Sequence, residues 1–252
     1  MYRFVCGGAL MLASLGVAHA GIDLHGADCG LHSDYSMSIR PDALVFKRAD
    51  GAPAEVVIAN GTLRVDGRAV ELGKADRQRV LGIEHGVRDV LPQVREIVHA
   101  AIQVTFDAVT EVSAAFARDP SAARASAERL ARTAADIRRQ VDSSESLTAW
   151  TSEDLDRLVD QAVGTLVAEV VGNVAGQAVT VALSGDDKAL AELKARADGI
   201  DARVKRIVEK RSSEIEARAE GICPRLRTLA RLGSELEVRP DGHRLQLARI
   251  DN

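Results

Sequence analysis

The sequence predicts an α+β fold: a small N-terminal antiparallel β-meander packed with a long, mainly α-helical bundle. Three observations predict it. Residues 35–72 alternate apolar and polar side chains between closely spaced turn signals. Residues 80–232 carry apolar side chains three and four apart, and the last ten return to a strand-like pattern.

The chain opens on a segment that belongs to neither part. Arg3 gives a short basic start, Val5 to Val17 is an apolar run, and Ala18-His19-Ala20 is an A-x-A exit before Gly21. That order is the pattern of a secretory signal peptide cleaved after Ala20. The apolar run is far short of the about 20 residues that a spanning helix needs. No later stretch is long and apolar enough either, so the mature chain is expected to carry no transmembrane span.

The meander follows. Tyr35, Met37 and Ile39 alternate with serines before Pro41-Asp42, and Leu44 and Phe46 precede Asp50-Gly51. Val56 and Ile58 lead into Asn60-Gly61, then Leu63 and Val65 into Asp66-Gly67, and Val70 and Leu72 close the run. Asn-Gly and Asp-Gly between alternating apolar residues are hairpin signals, because both turn positions need positive φ. So thin a sheet needs a cover on one face.

The helices come next. Val80, Ile83, Val87, Leu91, Val94, Ile97, Ile102, Phe106, Val109, Val112 and Phe116 hold helical spacing, with Pro92 predicting a kink or a junction of two helices. Asp119-Pro120 starts a second helix with proline at N1, carrying Leu130, Ile137 and Val141 to Ser143-Ser144. Thr151 and Asp154 resemble a capping box for a third, from about Ser152 to Leu183, closed by Ser184-Gly185. A fourth is expected from Asp187 to Gly221, with Leu190, Leu193, Ala197, Ile200, Val204 and Ile207 in a coiled-coil-like 3-4 pattern. Leu226, Leu229 and Leu232 after Pro224 read as a separate short helix. Leu245, Leu247 and Ile250 read as a terminal strand returning to the sheet. The chain thus divides into a signal peptide (1–20), a meander subdomain (21–73), a helical region (74–240) and a C-terminal strand (241–252), with 21–252 one folding unit.

Once Cys6 leaves with the signal peptide, Cys29 and Cys223 remain, and an exported chain with two cysteines most simply pairs them. Closing so long a loop contributes about 4–5 kcal/mol on the chain-entropy model. Lipidation at Cys29 fails, because Gly26-Ala27-Asp28 is a poor lipobox beyond the cleavage point.

Composition and motif searches narrow the function. A net charge of −4 speaks against a nucleic-acid binder, and 3% aromatic residues are few for a stacking pocket. His25, Asp28, Cys29 and His32 cluster like metal ligands, but Cys29 is better used in the disulfide and supporting groups are few. Gly67 to Lys74 misses the phosphate-loop spacing and lacks the following Ser or Thr. Glu84-His85 is expected on a solvated helix face, His99 in a half-buried structural role, and Asp154/Asp156 and Asp186/Asp187 at helix starts. Gly172 and Gly176 form a G-x-x-x-G pair whose small size suits close packing within a bundle. The cations Arg203, Lys205, Arg206, Lys210 and Arg211 are expected to be solvated and paired with acids four residues away. No catalytic residue and no cofactor is expected.

The leader, a cysteine soon after it, the stretch Leu63-Arg64-Val65-Asp66-Gly67-Arg68-Ala69-Val70-Glu71-Leu72, the helical Val90-Leu91-Pro92 and the late Cys223 occur in this order. In that order they resemble the YggN-type family of uncharacterised periplasmic proteins of Gram-negative bacteria. The resemblance implies a periplasmic location and a domain of unknown function, and lends no catalytic residues. The reading that follows is a non-enzymatic interaction or envelope-maintenance module. Its partner would be another periplasmic or envelope protein, or a second copy, met at Leu190, Leu193, Ile200, Val204 and Ile207. The alternative is a carrier or sensor of a lipid or other apolar ligand held between helices.

Overall fold

The computed structural model describes residues 29–117, 119–143, 164, 168, 171, 172 and 174–250. Seven strands and four helices organise them: β1 (Leu31–His32), β2 (Ser36–Ile39), β3 (Leu44–Lys47), β4 (Glu55–Ala59), β5 (Thr62–Val65), β6 (Arg68–Val70), α1 (Lys74–Ala115), α2 (Pro120–Ser143), α3 (174–184), α4 (Asp187–Ser234) and β7 (Arg249–Ile250). The expected α+β class holds.

Strands β2 to β6 form one antiparallel meander in sequence order. Asn60 and Gly61 have φ of 50° and 72°, and Asp66 and Gly67 have 46° and 77°, the left-handed pairs that two-residue hairpins demand. Register then aligns two apolar rows across the sheet. Ile39, Leu44, Ile58, Leu63 and Val70 make one, and Met37, Phe46, Val56 and Val65 the other. Both rows pack on Val80, Ile83 and Val87 of α1 and on Leu236, Val238, Leu245 and Leu247 from the C-terminal segment. Helix and tail together are the cover that the thin sheet lacks on its own.

Helix α1 runs unbroken through Pro92. Pro92 lies on the exposed side, and Val90, Ile97, Ala101 and Val104 bury the opposite face against Ile215, Ala219 and Ile222 of α4. This packing outweighs the single helical hydrogen bond that proline forfeits. Farther along α1, Val98, Ile102 and Phe106 receive Leu130, Ala134, Ile137 and Val141 of α2. Asp119 caps α2, its Oδ1 accepting from the Ser121 and Ala122 amides at 2.8 and 2.9 Å, so Pro120 stands at the expected first position.

One expectation is corrected and another becomes more specific. The last long helix does not stop at Gly221: α4 continues through Pro224 to Ser234, held down by Leu229 and Leu232 against the sheet's core. The terminal segment returns as expected, but its strand β7 pairs with β1 (Leu31 opposite Ile250, His32 opposite Arg249) in a separate two-stranded ladder outside the five-stranded sheet. Leu245 and Leu247 are buried below it without being part of a strand.

Candidate interaction surface

Cys29 and Cys223 are joined by a disulfide across 194 residues, with Cα atoms 5.2 Å apart. Arg227, one turn further along α4, donates from Nε to the Cys29 carbonyl at 3.2 Å. The segment leading into β1 and helix α4 are thereby fastened twice at one place, next to the β1–β7 ladder.

The five heptad residues of α4 separate along its length. Leu190 is 53% exposed, Leu193, Val204 and Ile207 are half-buried, and Ile200 is 4% exposed and belongs to the interior. Of the five, Leu190 is the most exposed, and it lies in the first turn of α4 beside α3. Asp186 caps α4 by accepting from the Lys188 and Ala189 amides, both at 3.0 Å. Across the bend, Arg196 donates to Gln177, and Gln177 donates in turn to the carbonyl of Phe116 at 3.3 Å, which ties α3 to the end of α1. Between α3 and α4 lies an open cleft of about 480 Å³ lined by Gly176, Thr180, Val181, Leu193 and Arg196. Val179 and Leu183 stand exposed next to it.

Gly172 and Gly176 do not serve close packing: a Cβ built on either meets nothing within 4 Å. The packing glycines are Gly82 and Gly86 on α1, an i,i+4 pair that the sequence reading passed over. A Cβ there would stand 3.1 Å from Leu232 Cδ1 and 2.5 Å from Leu229 Cδ2. The signal was present as an i,i+4 glycine pair in one helix and an i,i+3 leucine pair in another, but only long-range register joins them.

Glu84 was expected in solvent and is buried at 5% exposure. Its Oε2 accepts from the Gly61 amide at 3.4 Å, and Arg88 stands 3.6 Å from its Oε1 while donating from Nη1 to the Arg40 carbonyl. Asp76, also buried, accepts from Arg79 at 2.7 Å and from the Glu237 amide at 3.2 Å. These two carboxylates fasten α1 to the β4–β5 turn and to the C-terminal segment. Their contacts assign both a structural role. His85 is exposed, and half-buried His99 lies 3.1 Å from Asp142 Oδ1 on α2.

Among the described residues no group of three or more His, Cys, Asp or Glu side chains is placed to hold a metal. Cys29 is committed to its disulfide, and His25 and Asp28 lie outside the described residues, as do Asp154 and Asp156. Gly67 sits in the β5–β6 turn and Lys74 opens α1, so no phosphate loop joins them. Among the described residues no helix is long and apolar enough to cross a membrane.

A family model described as a protein of unknown function, DUF2884, matches residues 29–248. The chain belongs to this family. The DUF2884 match begins at Cys29 of the disulfide and ends just before β7, so it takes in the meander, all four helices and the buried tail. No curated protein and no solved structure matches the chain.

Proposed function

We propose that this DUF2884 protein is an exported periplasmic module that works by binding another envelope protein or a second copy of itself, without catalysing a reaction. The observation that carries the reading is the apolar surface at the α3–α4 bend. Val179 and Leu183 are one turn apart, and with Leu190 they are 58%, 84% and 53% exposed. Large aliphatic side chains held in solvent on a capped, cross-braced pair of helices stabilise nothing in the isolated chain, and covering them releases their hydration cost. The leader pattern, the disulfide and the resemblance to YggN-type proteins support the periplasmic address.

The test is photo-crosslinking from position 190 in intact cells, followed by fractionation. A discrete adduct in the periplasmic fraction, lost in the Leu183→Asp variant, is expected. Absence of any adduct, or a chain retained in the cytoplasm with residues 1–20 intact, sinks the proposal.

A second reading draws on the cleft between α3 and α4, whose volume and small-residue wall suit one apolar chain. Native mass spectrometry of protein isolated from cells separates the two. A lipid adduct favours the carrier, and a bare monomer or dimer favours the interaction module.

A further inference from the structure

Between the C-terminal half of α1 and the middle of α4 lies an open groove of about 600 Å³. On the α4 wall Arg203, Arg206, Lys210 and Arg211 surround Ile207, and α1 supplies Thr110 with Asp107 and Glu111 opposite. The acids do not match the cations. Glu111 takes Arg203 at 3.5 Å, and Asp107 accepts from Gln103, which also receives Arg138. Among the described residues Arg206, Lys210 and Arg211 have no carboxylate within ion-pair distance; the nearby i,i+4 ion pair, Lys205 with Glu209, is separate from them. The run is solvated as expected, and the expected pairing with an acid four residues on is made by Lys205 with Glu209.

Like charges crowd this face of α4, although Glu209 and Glu214 stand three and four residues on from Arg206 and Lys210. Arg203 and Arg206 are three apart, and Arg206 and Lys210 four apart, so like charges are stacked on one face where opposite charges would stabilise. An anion seated among them reverses the sign of each of those terms. Guanidinium forks and an ammonium are the donors that match phosphate oxygens, and a hydroxyl on the opposite wall adds a donor at the rim. Ile207 gives the floor an apolar spot beneath the charged ring.

We infer that the Arg206–Lys210–Arg211 groove binds a phosphate-ester group, from a soluble phosphorylated ligand or from a phospholipid headgroup. The site is separate from the α3–α4 bend and stands whether or not that surface takes a partner.

Calorimetry of the disulfide-bonded full chain with inorganic pyrophosphate, at low and at moderate salt, tests the site. Saturable binding that weakens with salt is expected, and Arg206→Gln/Lys210→Gln/Arg211→Gln is expected to lose roughly tenfold or more in affinity. The control Lys188→Gln/Lys194→Gln/Lys205→Gln removes the same charge from α4 outside the groove and should bind as the parent does. Co-sedimentation with phosphatidylcholine vesicles containing phosphatidic acid distinguishes the sources. Vesicle binding assigns a headgroup, and pyrophosphate binding without it assigns a soluble ester. No binding to either probe, or an equal loss in the control variant, overturns the assignment. All six substituted side chains are exposed, and matching circular dichroism melts keep folding out of the comparison.

Discussion

Gly86 of α1 and Leu229 of α4 are in such close contact that a single added carbon would collide: a Cβ on Gly86 falls 2.5 Å from Leu229 Cδ2. Gly82 repeats the relationship with Leu232, one turn earlier on α1 and three residues later on α4, so the two helices run antiparallel there. Two empty positions thus fix the depth at which α4 is seated, at the edge of the core it shares with the sheet.

Replacing Gly86 with alanine should force the half-buried Leu229 side chain to shift, so the protein should not gain the stability that a better helix former brings. Overpacking costs about 1–3 kcal/mol and offsets a propensity gain of about 1 kcal/mol. Gly86→Ala combined with Leu229→Ala should recover part of that gain. Urea denaturation of the four-member cycle measures the coupling, and strict additivity would show that the contact is absent in solution.

Glu84 makes a second, independent prediction. Glu84→Ala leaves the buried Gly61 amide and the half-buried Arg88 without their carboxylate, at a cost of about 1–3 kcal/mol. Hydrogen exchange should quicken at Gly61 more than at Leu63, which lies inside the strand. Equal exchange at both sites would mean that the β4–β5 turn is held by its own geometry.

Reducing the disulfide, or replacing Cys29 and Cys223 with serine, should lower stability by about 2–4 kcal/mol while leaving the helical circular dichroism intact. The loss should be largest in protection of β1 and β7, because the bond lies at the end of the chain that this ladder closes. A midpoint unmoved by reductant would show that Arg227 and the ladder suffice.

The heptad residues should split in their response to charge. Ile200→Asp places a carboxylate in the interior and should unfold the chain, costing more than about 3 kcal/mol. Leu190→Asp is half in solvent already and should shift stability by no more than about 0.5 kcal/mol, while weakening any association through the α3–α4 bend. Sedimentation velocity with thermal melts reads both. Identical behaviour of the two variants would remove the distinction between core and surface along this helix.

What could be read from the sequence was local in origin. Asn60-Gly61 and Asp66-Gly67 fixed the hairpins, because so few residue pairs accept two positive φ angles. Asp119-Pro120 marked a helix start for a similarly local reason, a capping carboxylate followed by a residue that needs no amide. What was hidden depends on partners far along the chain. Gly172 and Gly176 look like packing residues and face open space, whereas Gly82 and Gly86, with the same spacing, meet leucines nearly 150 residues away. Pro224 looked like a stop because the leucines beyond it gave no sign that they continue the same buried face. Glu84 looked solvated because an acid beside a histidine says nothing of the turn that will be laid over it. The run at Arg206, Lys210 and Arg211 was legible as charge, but not that it lacks ion-pair partners among the described residues.

The bond between Cys29 and Cys223 also sets an order of events. A chain that emerges N-terminus first delivers one thiol at the outset and the other only after 194 residues have followed, with Leu236, Val238, Leu245 and Leu247 later still. Until then the meander has only α1 to cover its apolar face, and its cysteine is unclaimed. Assembly is therefore gated by completion of the chain, and the interval before closure is when a foreign thiol or an aggregating neighbour can intercept it.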